Sequence, residues 1–255
     1  MPVSDDAALR GLVERLLGWD NSRAVELAYR SVELAAEHRA ELVLCGAGDM
    51  VPIASALHRR ALGTERPFMV CDSRRGDTPA SVRSPANRAS GVAALAAAVG
   101  GSLCMRTGRL PRDFSALVAR LRDTRDVTLM VCAGLSAALD PLVIRPAPIN
   151  VPPLAGRAAE LDRVIAEYAA DAIAELSAPP GSFTERDHAW VREHAATLAE
   201  VEKATLRLVA LRTSRNPSTA ATRLGMAGVS LSRWVDRRGL RRVLATTGGS
   251  PCRPT

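Results

Sequence analysis

Residues 42–50 read LVLCGAGDM, an apolar run that enters a glycine turn and then a segment of helical pattern. A strand, a glycine loop and a helix start together make a phosphate cradle. That cradle works when backbone N–H groups line the loop, a lysine pairs with the outer phosphates and a hydroxyl holds magnesium. Here Gly46 and Gly48 supply the turn, but Asp49, Met50 and Val51 follow, and the single lysine of the chain is the distant Lys203. Asp49 brings a negative charge to the place of a phosphate, repulsive by several kcal/mol where solvation is poor. The loop reads as one retained for its fold, with strand and helix packing still requiring the glycines.

The second candidate lies near the other end, in AATRLGMAGVSLSRWVDRRGL (residues 220–240). Small Ala221 lets two helices approach, and Gly225 four residues later can take the left-handed turn between them, the layout of a helix-turn-helix. Leu231, Trp234 and Val235 make one stripe of the second helix. Ser230, Arg233 and Arg237, at i, i+3 and i+7, share the opposite face. In a DNA reader that face enters the major groove, with Ser230, Arg233 and Arg237 at base edges and Arg223, Arg238, Arg241 and Arg242 on phosphates. A plain helical hairpin with a solvated basic face has the same pattern.

Charge placement bears on that choice. Residues 199–255 carry eleven basic and three acidic side chains, a balance of +8, against +7 for the whole chain. A basic end on a near-neutral body is the footprint expected of double-stranded DNA as partner.

Other chemistry finds little support. Cys45, Cys71, Cys104, Cys132 and Cys252 include no CxxC pair, and the first four sit in apolar stretches, as buried free thiols do. His38, His58, His188 and His194 lack ligand spacing, so neither a metal nor a cofactor is expected. No paired carboxylates and no Ser/His/Asp or Cys/His set can be placed in one cleft.

These residues need a scaffold. Leu9, Leu12, Val13, Leu16 and Leu17 keep helical spacing behind Ser4 as a cap, and Val25, Ala28, Val32 and Ala35 do so in the next segment. Short apolar runs then alternate with helical stretches: residues 41–45, 67–71, 102–105, 127–132 and roughly 142–151. That alternation predicts a parallel sheet with flanking helices, an α/β class. From Pro152 the strands cease. A helix is expected over 159–176, then two capping boxes, Thr184 with Asp187 and Thr197 with Glu200, each opening a helix. Val201, Leu208 and Leu211 make an apolar stripe on the last of these, which needs a partner to cover it. With 47% apolar and 24% charged residues, no span of roughly 20 apolar residues and no signal-peptide pattern, a cytoplasmic globular protein away from membranes is expected.

The 220–240 stretch resembles the Fis-type helix-turn-helix that ends the sigma-54-dependent activators, the bacterial enhancer-binding proteins, and matches it without a gap through Arg237-Arg238-Gly239-Leu240. Ala227 and Gly228 are small where such readers carry polar or basic side chains. The resemblance runs back over most of the chain. Residues 46–71 are similar to the activators' GESGTGKELVARAIH segment and the PFV strand after it, 100–111 to GGTLFLDEIGELP, 127–134 to the next sensor strand and 149–161 to IxLPPLRER. It implies a P-loop AAA+-like parallel sheet with flanking helices followed by an all-α C-terminal region with a Fis-type helix-turn-helix. The implied segments are 1–155 for the AAA+-like domain with its N-terminal helices, 156–196 for a lid-like helical region and 197–255 for the DNA-binding domain with its basic tail.

Position by position the ATPase chemistry is missing. Asp49-Met50-Val51 stand at the Walker A lysine and hydroxyl, Arg106 and Thr107 at the Walker B Asp-Glu, and Gly134 at the sensor asparagine. The GAFTGA loop has no counterpart in residues 72–99, where SPANRASG (84–91) takes its place, and the stretch with the trans-acting arginines shrinks to LDPLVIRP (139–146). The resemblance then implies a DNA-binding transcriptional regulator with an inactive ATPase body, a repressor, modulator or architectural factor, dimeric through its C-terminal helices. Arg106 leaves binding of an anion open. The alternative is a protein-interaction adaptor that docks a partner on the AAA+-like body and keeps the helix-turn-helix only as packing.

Overall fold

The computed structural model describes residues 6–82, 84–135 and 148–241, and the chain divides into two compact units, 1–158 with 197–199 and 159–196 with 200–255. The first unit begins with α1 (Asp6–Leu17) and α2 (Ser22–His38). It continues through β1 (Leu42–Cys45), α3 (Val51–Leu62), β2 (Phe68–Cys71), β3 (Ala86–Arg88) and α4 (Gly91–Ala97). Next come β4 (Ser102–Arg106), α5 (Phe114–Asp123), β5 (Thr128–Ala133) and β6 (Ile149–Asn150). The strands form one parallel sheet in the order β3-β2-β4-β5-β1-β6.

Both faces of the sheet are covered, which is why its strands read as unbroken apolar runs and not as alternating ones. Met69, Cys71, Leu103 and Met105 pack with Ala94 and Leu95 of α4 and Leu117 of α5 on one side. On the other, His58 of α3 hydrogen-bonds Ser102 Oγ through Nδ1 (2.8 Å) and the Arg66 carbonyl through Nε2 (3.0 Å), and Thr128 Oγ1 donates to the Ala35 carbonyl of α2 (3.4 Å). Helices on two sides of a parallel sheet make a three-layer α/β unit. Burial pushes the His58 pKa down, so this histidine is a neutral packing group.

Two strands differ from the sequence reading. The run expected at 142–151 appears as β6, Ile149–Asn150; residues 136–147, LDPLVIRP among them, lie outside the described residues, as does Ser4. Edge strand β3 had no apolar signature because its central residue is Asn87. That side chain is fully buried: Oδ1 accepts the Asp72 N–H (3.0 Å), and Nδ2 donates to the carbonyls of Asp72 (3.3 Å) and Gly76 (3.0 Å). Asn87 thereby shapes the loop after β2.

A 3-10 segment, Leu154–Glu160, kinked at Arg157, follows β6. Within the INVPPLAGR stretch, Arg157 is buried and donates to the carbonyls of Leu16 (2.9 Å) and Arg15 (2.8 Å), capping the C-terminus of α1.

The second unit is helical: α6 (Leu161–Glu175), α7 (Glu185–His194), most of α8 (Leu198–Arg212), α9 (Pro217–Arg223) and α10 (Gly228–Arg237). Most of the stretches 156–196 and 197–255 thus fall in one compact unit. The Thr184 capping box is present: Thr184 N–H donates to Asp187 Oδ2 (3.0 Å) and Asp187 N–H to Thr184 Oγ1 (3.3 Å). The same Asp187 carboxylate receives Arg212 of α8 in two bonds, Nε at 3.0 Å and Nη2 at 2.9 Å, a buried pair that ties α7 to α8. Among the described residues no helix is long and apolar enough to cross a membrane.

Candidate functional site

At the carboxyl ends of β1, β4 and β5 lies a cleft of about 270 Å³ lined by residues from 48–50, 106–109 and 132–134. This is the place where open α/β sheets bind ligands. The loop from β1 to α3 has the expected form: the Gly46 N–H extends the sheet by donating to the Ala133 carbonyl (3.1 Å), and Gly48 adopts φ +80°. A Cβ at Gly46 would lie 2.6 Å from Met50 Sδ, so buried Met50 is seated against the bare glycine.

Charge in the cleft is paired inside it. Asp49 Oδ1 accepts the Val51 N–H at the start of α3 (3.2 Å), the position where a helix N-terminus holds a phosphate oxygen. Arg106, at the end of β4, grips the same carboxylate with Nη2 at 2.9 Å from Oδ1 and 3.1 Å from Oδ2. Its Nη1 donates to Asp72 Oδ2 (3.1 Å), which also accepts Arg109 Nη1 (2.8 Å), while the Arg74 N–H donates to Asp72 Oδ1 (3.1 Å). The Asp72 carboxylate has no exposure. Burial alone would raise its pKa; the Arg109 bond and the Arg74 N–H outweigh that and hold it below the usual carboxylate value.

Arg106, read from sequence as a group open to an anion, is therefore committed to two carboxylates. Two arginines and two aspartates sum to zero where a nucleotide would need net positive charge. Thr107 holds its place through its N–H to the Cys132 carbonyl (3.1 Å), and Gly134 lines the rim. Beneath it, Cys104 and Cys132 Sγ lie 3.6 Å apart, and that contact with burial raises the Cys132 pKa. Asp72 and Arg109 were absent from the sequence candidates. The usable signal was position, since Asp72 directly follows the buried run PFMVC.

In the second unit, α9 starts at Asn216, whose Oδ1 accepts the Thr219 N–H (2.8 Å), with Pro217 in the first turn. It ends in a Schellman motif: Gly225 at φ +62°, its N–H on the Thr222 carbonyl (3.0 Å) and the Met226 N–H on the Ala221 carbonyl (2.9 Å). Gly225 takes the left-handed turn expected of it, and Ala221 is buried. Ala220, Ala221, Leu224, Leu231, Val235 and Leu240 are buried, while Trp234 is half-buried with its ring 5.6 Å from that of Trp190, edge to face. Ser230, Arg233 and Arg237 are all exposed.

The flanking arginines divide. Arg223, expected on phosphate, faces inward: Nη1 donates to Thr213 Oγ1 (2.5 Å) and Nη2 to the Leu176 carbonyl (2.6 Å), so it caps the ends of α8 and α6. Arg238 lies over the rings of Trp190 and Trp234 at 5.9 and 5.7 Å and remains exposed. Arg241 is exposed and pairs with Asp236, lowering the Asp236 pKa. Arg242 and the basic tail lie outside the described residues. The stripe of α8 also departs from its expected use, since Val201 and Leu208 are fully buried and Leu211 packs into the helical core with Val209 and Ala210. It is not an open pairing face.

Among the described residues, no group of three His, Cys, Asp or Glu side chains could hold a metal ion.

No protein-family model matches the chain, and no curated protein matches it. Among solved structures, the chain is similar to crystal structures of NtrX from Brucella abortus: in complex with ADP (14% identity, TM-score 0.46), in complex with ATP (16%, 0.47) and in a third structure (15%, 0.44), each match covering 85% of this chain and 68% of that one.

Proposed function

We propose that this protein is a DNA-binding transcriptional regulator of sigma-54-activator type with an inactive ATPase body, acting as a repressor, modulator or architectural factor. The observation that carries this reading is the α9–α10 pair, closed by a left-handed glycine and presenting Ser230, Arg233 and Arg237 to solvent on one face. Hydroxyls and guanidinium groups on an exposed recognition helix are the side chains that read base edges. The inactive body is supported by Asp49 and Arg106, which place a built-in carboxylate and its counter-charge where phosphate and metal would be held. Two copies would set their α10 helices in successive major grooves about 34 Å apart. Pairing would then use a surface other than the buried stripe of α8.

The test is fluorescence anisotropy on duplex DNA from the protein's own upstream region, with a scrambled control, at several salt concentrations. Affinity is expected to fall steeply with salt and to drop roughly 100-fold in the Arg233→Ala/Arg237→Ala double variant. Micromolar binding at low salt that ignores both substitutions would refute the reading. The adaptor alternative has one observation of its own: Leu27 and Leu34, seven residues apart on α2, are 60% and 53% exposed.

A further inference from the structure

The first turn of α10 holds an apolar side chain in water. Val229 is 60% exposed, and among the described residues of the second unit it is the large hydrophobic side chain so displayed; the others belong to the first unit. Its neighbours give it a setting. At about 100° per residue, Val229, Arg233, Arg237 and Ser230 fall within an arc of about 100° on α10, opposite the buried Leu231 and Val235. Asp236 lies at the edge of that arc beside Val229, but its carboxylate is bound by Arg241, which neutralises it.

The approach to this turn is bare. Ala227 caps α10 without a side-chain bond, and a Cβ built on Gly228 would have only Ser218 Oγ for company, at 4.0 Å. Small residues at the helix start let another surface come close to Val229, and the arginines around it call for a polyanion.

A major groove offers one apolar group amid its donors and acceptors, the C5-methyl of thymine. The geometry points to Val229 as the residue that packs on a thymine methyl, next to the base edge engaged by Arg233, so that this protein selects a T at a fixed position in each half-site by apolar contact. The inference rests on the DNA-binding reading above and adds its base preference. It also gives Ala227 and Gly228 a use: longer side chains there would hold Val229 away from the groove floor.

The test uses the full chain and duplexes enriched by the wild-type protein from a random-sequence pool. Each thymine in the enriched duplex is replaced in turn by uracil, which keeps every hydrogen-bonding group and removes only the methyl. Wild-type affinity is expected to fall about fourfold at one position per half-site, the factor given by burial of one methyl group, and to be flat elsewhere. Val229→Ala is expected to lose about the same factor on the thymine duplex and to be indifferent to uracil at that position. Circular dichroism on Val229→Ala and Val229→Ser confirms the fold, which an exposed site should leave intact. A flat uracil scan with the Arg233→Ala/Arg237→Ala loss preserved overturns this inference and leaves DNA reading standing. No enrichment, with weak binding unaffected by those arginines, overturns both. Unchanged DNA affinity in Val229→Ser together with loss of self-association would instead assign Val229 to a contact between copies.

Discussion

The cleft beside β4 and the outer face of α10 are both rich in arginine, and they use it in opposite ways. In the cleft Arg106 and Arg109 are spent on Asp49 and Asp72, the second of which has no exposure. On α10, Arg233 and Arg237 are exposed and have no acidic partner among the described residues. A guanidinium bound to a buried carboxylate such as Asp72 cannot leave it for a ligand without stranding an uncompensated charge, which is costly; one in water has only its hydration to exchange. Charge count alone does not reveal an anion site; the neighbours of each charge do.

That contrast can be broken most sharply at Arg106. Arg106→Ala strips one partner from a buried carboxylate and should cost about 3 kcal/mol in urea unfolding. Arg233→Ala should leave stability within about 0.5 kcal/mol while weakening DNA binding. Equal stability effects would remove the distinction.

Arg223 sharpens it inside the second unit. It lies at the end of α9, beside the turn into α10, yet bonds Thr213 and Leu176. Arg223→Ala should cost roughly 1–2 kcal/mol of stability and leave the salt slope of DNA binding unchanged, whereas Arg238→Ala, at an exposed arginine expected on phosphate, should lower that slope by about one. A lowered slope for Arg223→Ala would return it to the phosphate contacts.

The smallest expected effect is on acid stability. Asp113 accepts the Val92 and Gly91 N–H groups (3.0 and 2.8 Å) and the Ser90 hydroxyl (2.7 Å) at the start of α4, and these bonds, Val92 first, hold its pKa down at about 2. Because the folded value is depressed, its stabilisation is fully present above pH ~4 and is lost as pH falls toward 2. The melting temperature of the wild type should drop across that window, and Asp113→Asn should flatten the drop.

Much of the fold was legible in the residues because local physics and tertiary context agree there. The runs at 42–45, 68–71, 102–106 and 128–133 are mostly apolar on both faces, and the Thr184 box and the Gly225 turn each have one economical conformation. What escaped depends on partners distant in sequence. Strand β3 turns on Asn87, a poor strand former stabilised by the Asp72–Gly76 loop, and the roles of Arg157 and Arg223 are set by helix ends 141 and 47 residues away. In the candidate site, the glycine loop was readable from types and spacing, but the pairing of Arg106 across 57 residues with Asp49 was not. Solvation of α10 was readable because helical periodicity alone separates its two faces.

The measurement that bears most directly on the contrast is a thermal-shift titration of one protein sample with Mg·ATP and, separately, with the enriched duplex. A ligand at 100 times its Kd should stabilise by about 2.7 kcal/mol, enough to move the melting temperature by several degrees. The expected result is an upward shift with duplex DNA, abolished in Arg233→Ala/Arg237→Ala, and none with millimolar Mg·ATP. A shift with Mg·ATP and none with DNA would contradict it, placing the working anion site in the cleft and not on α10.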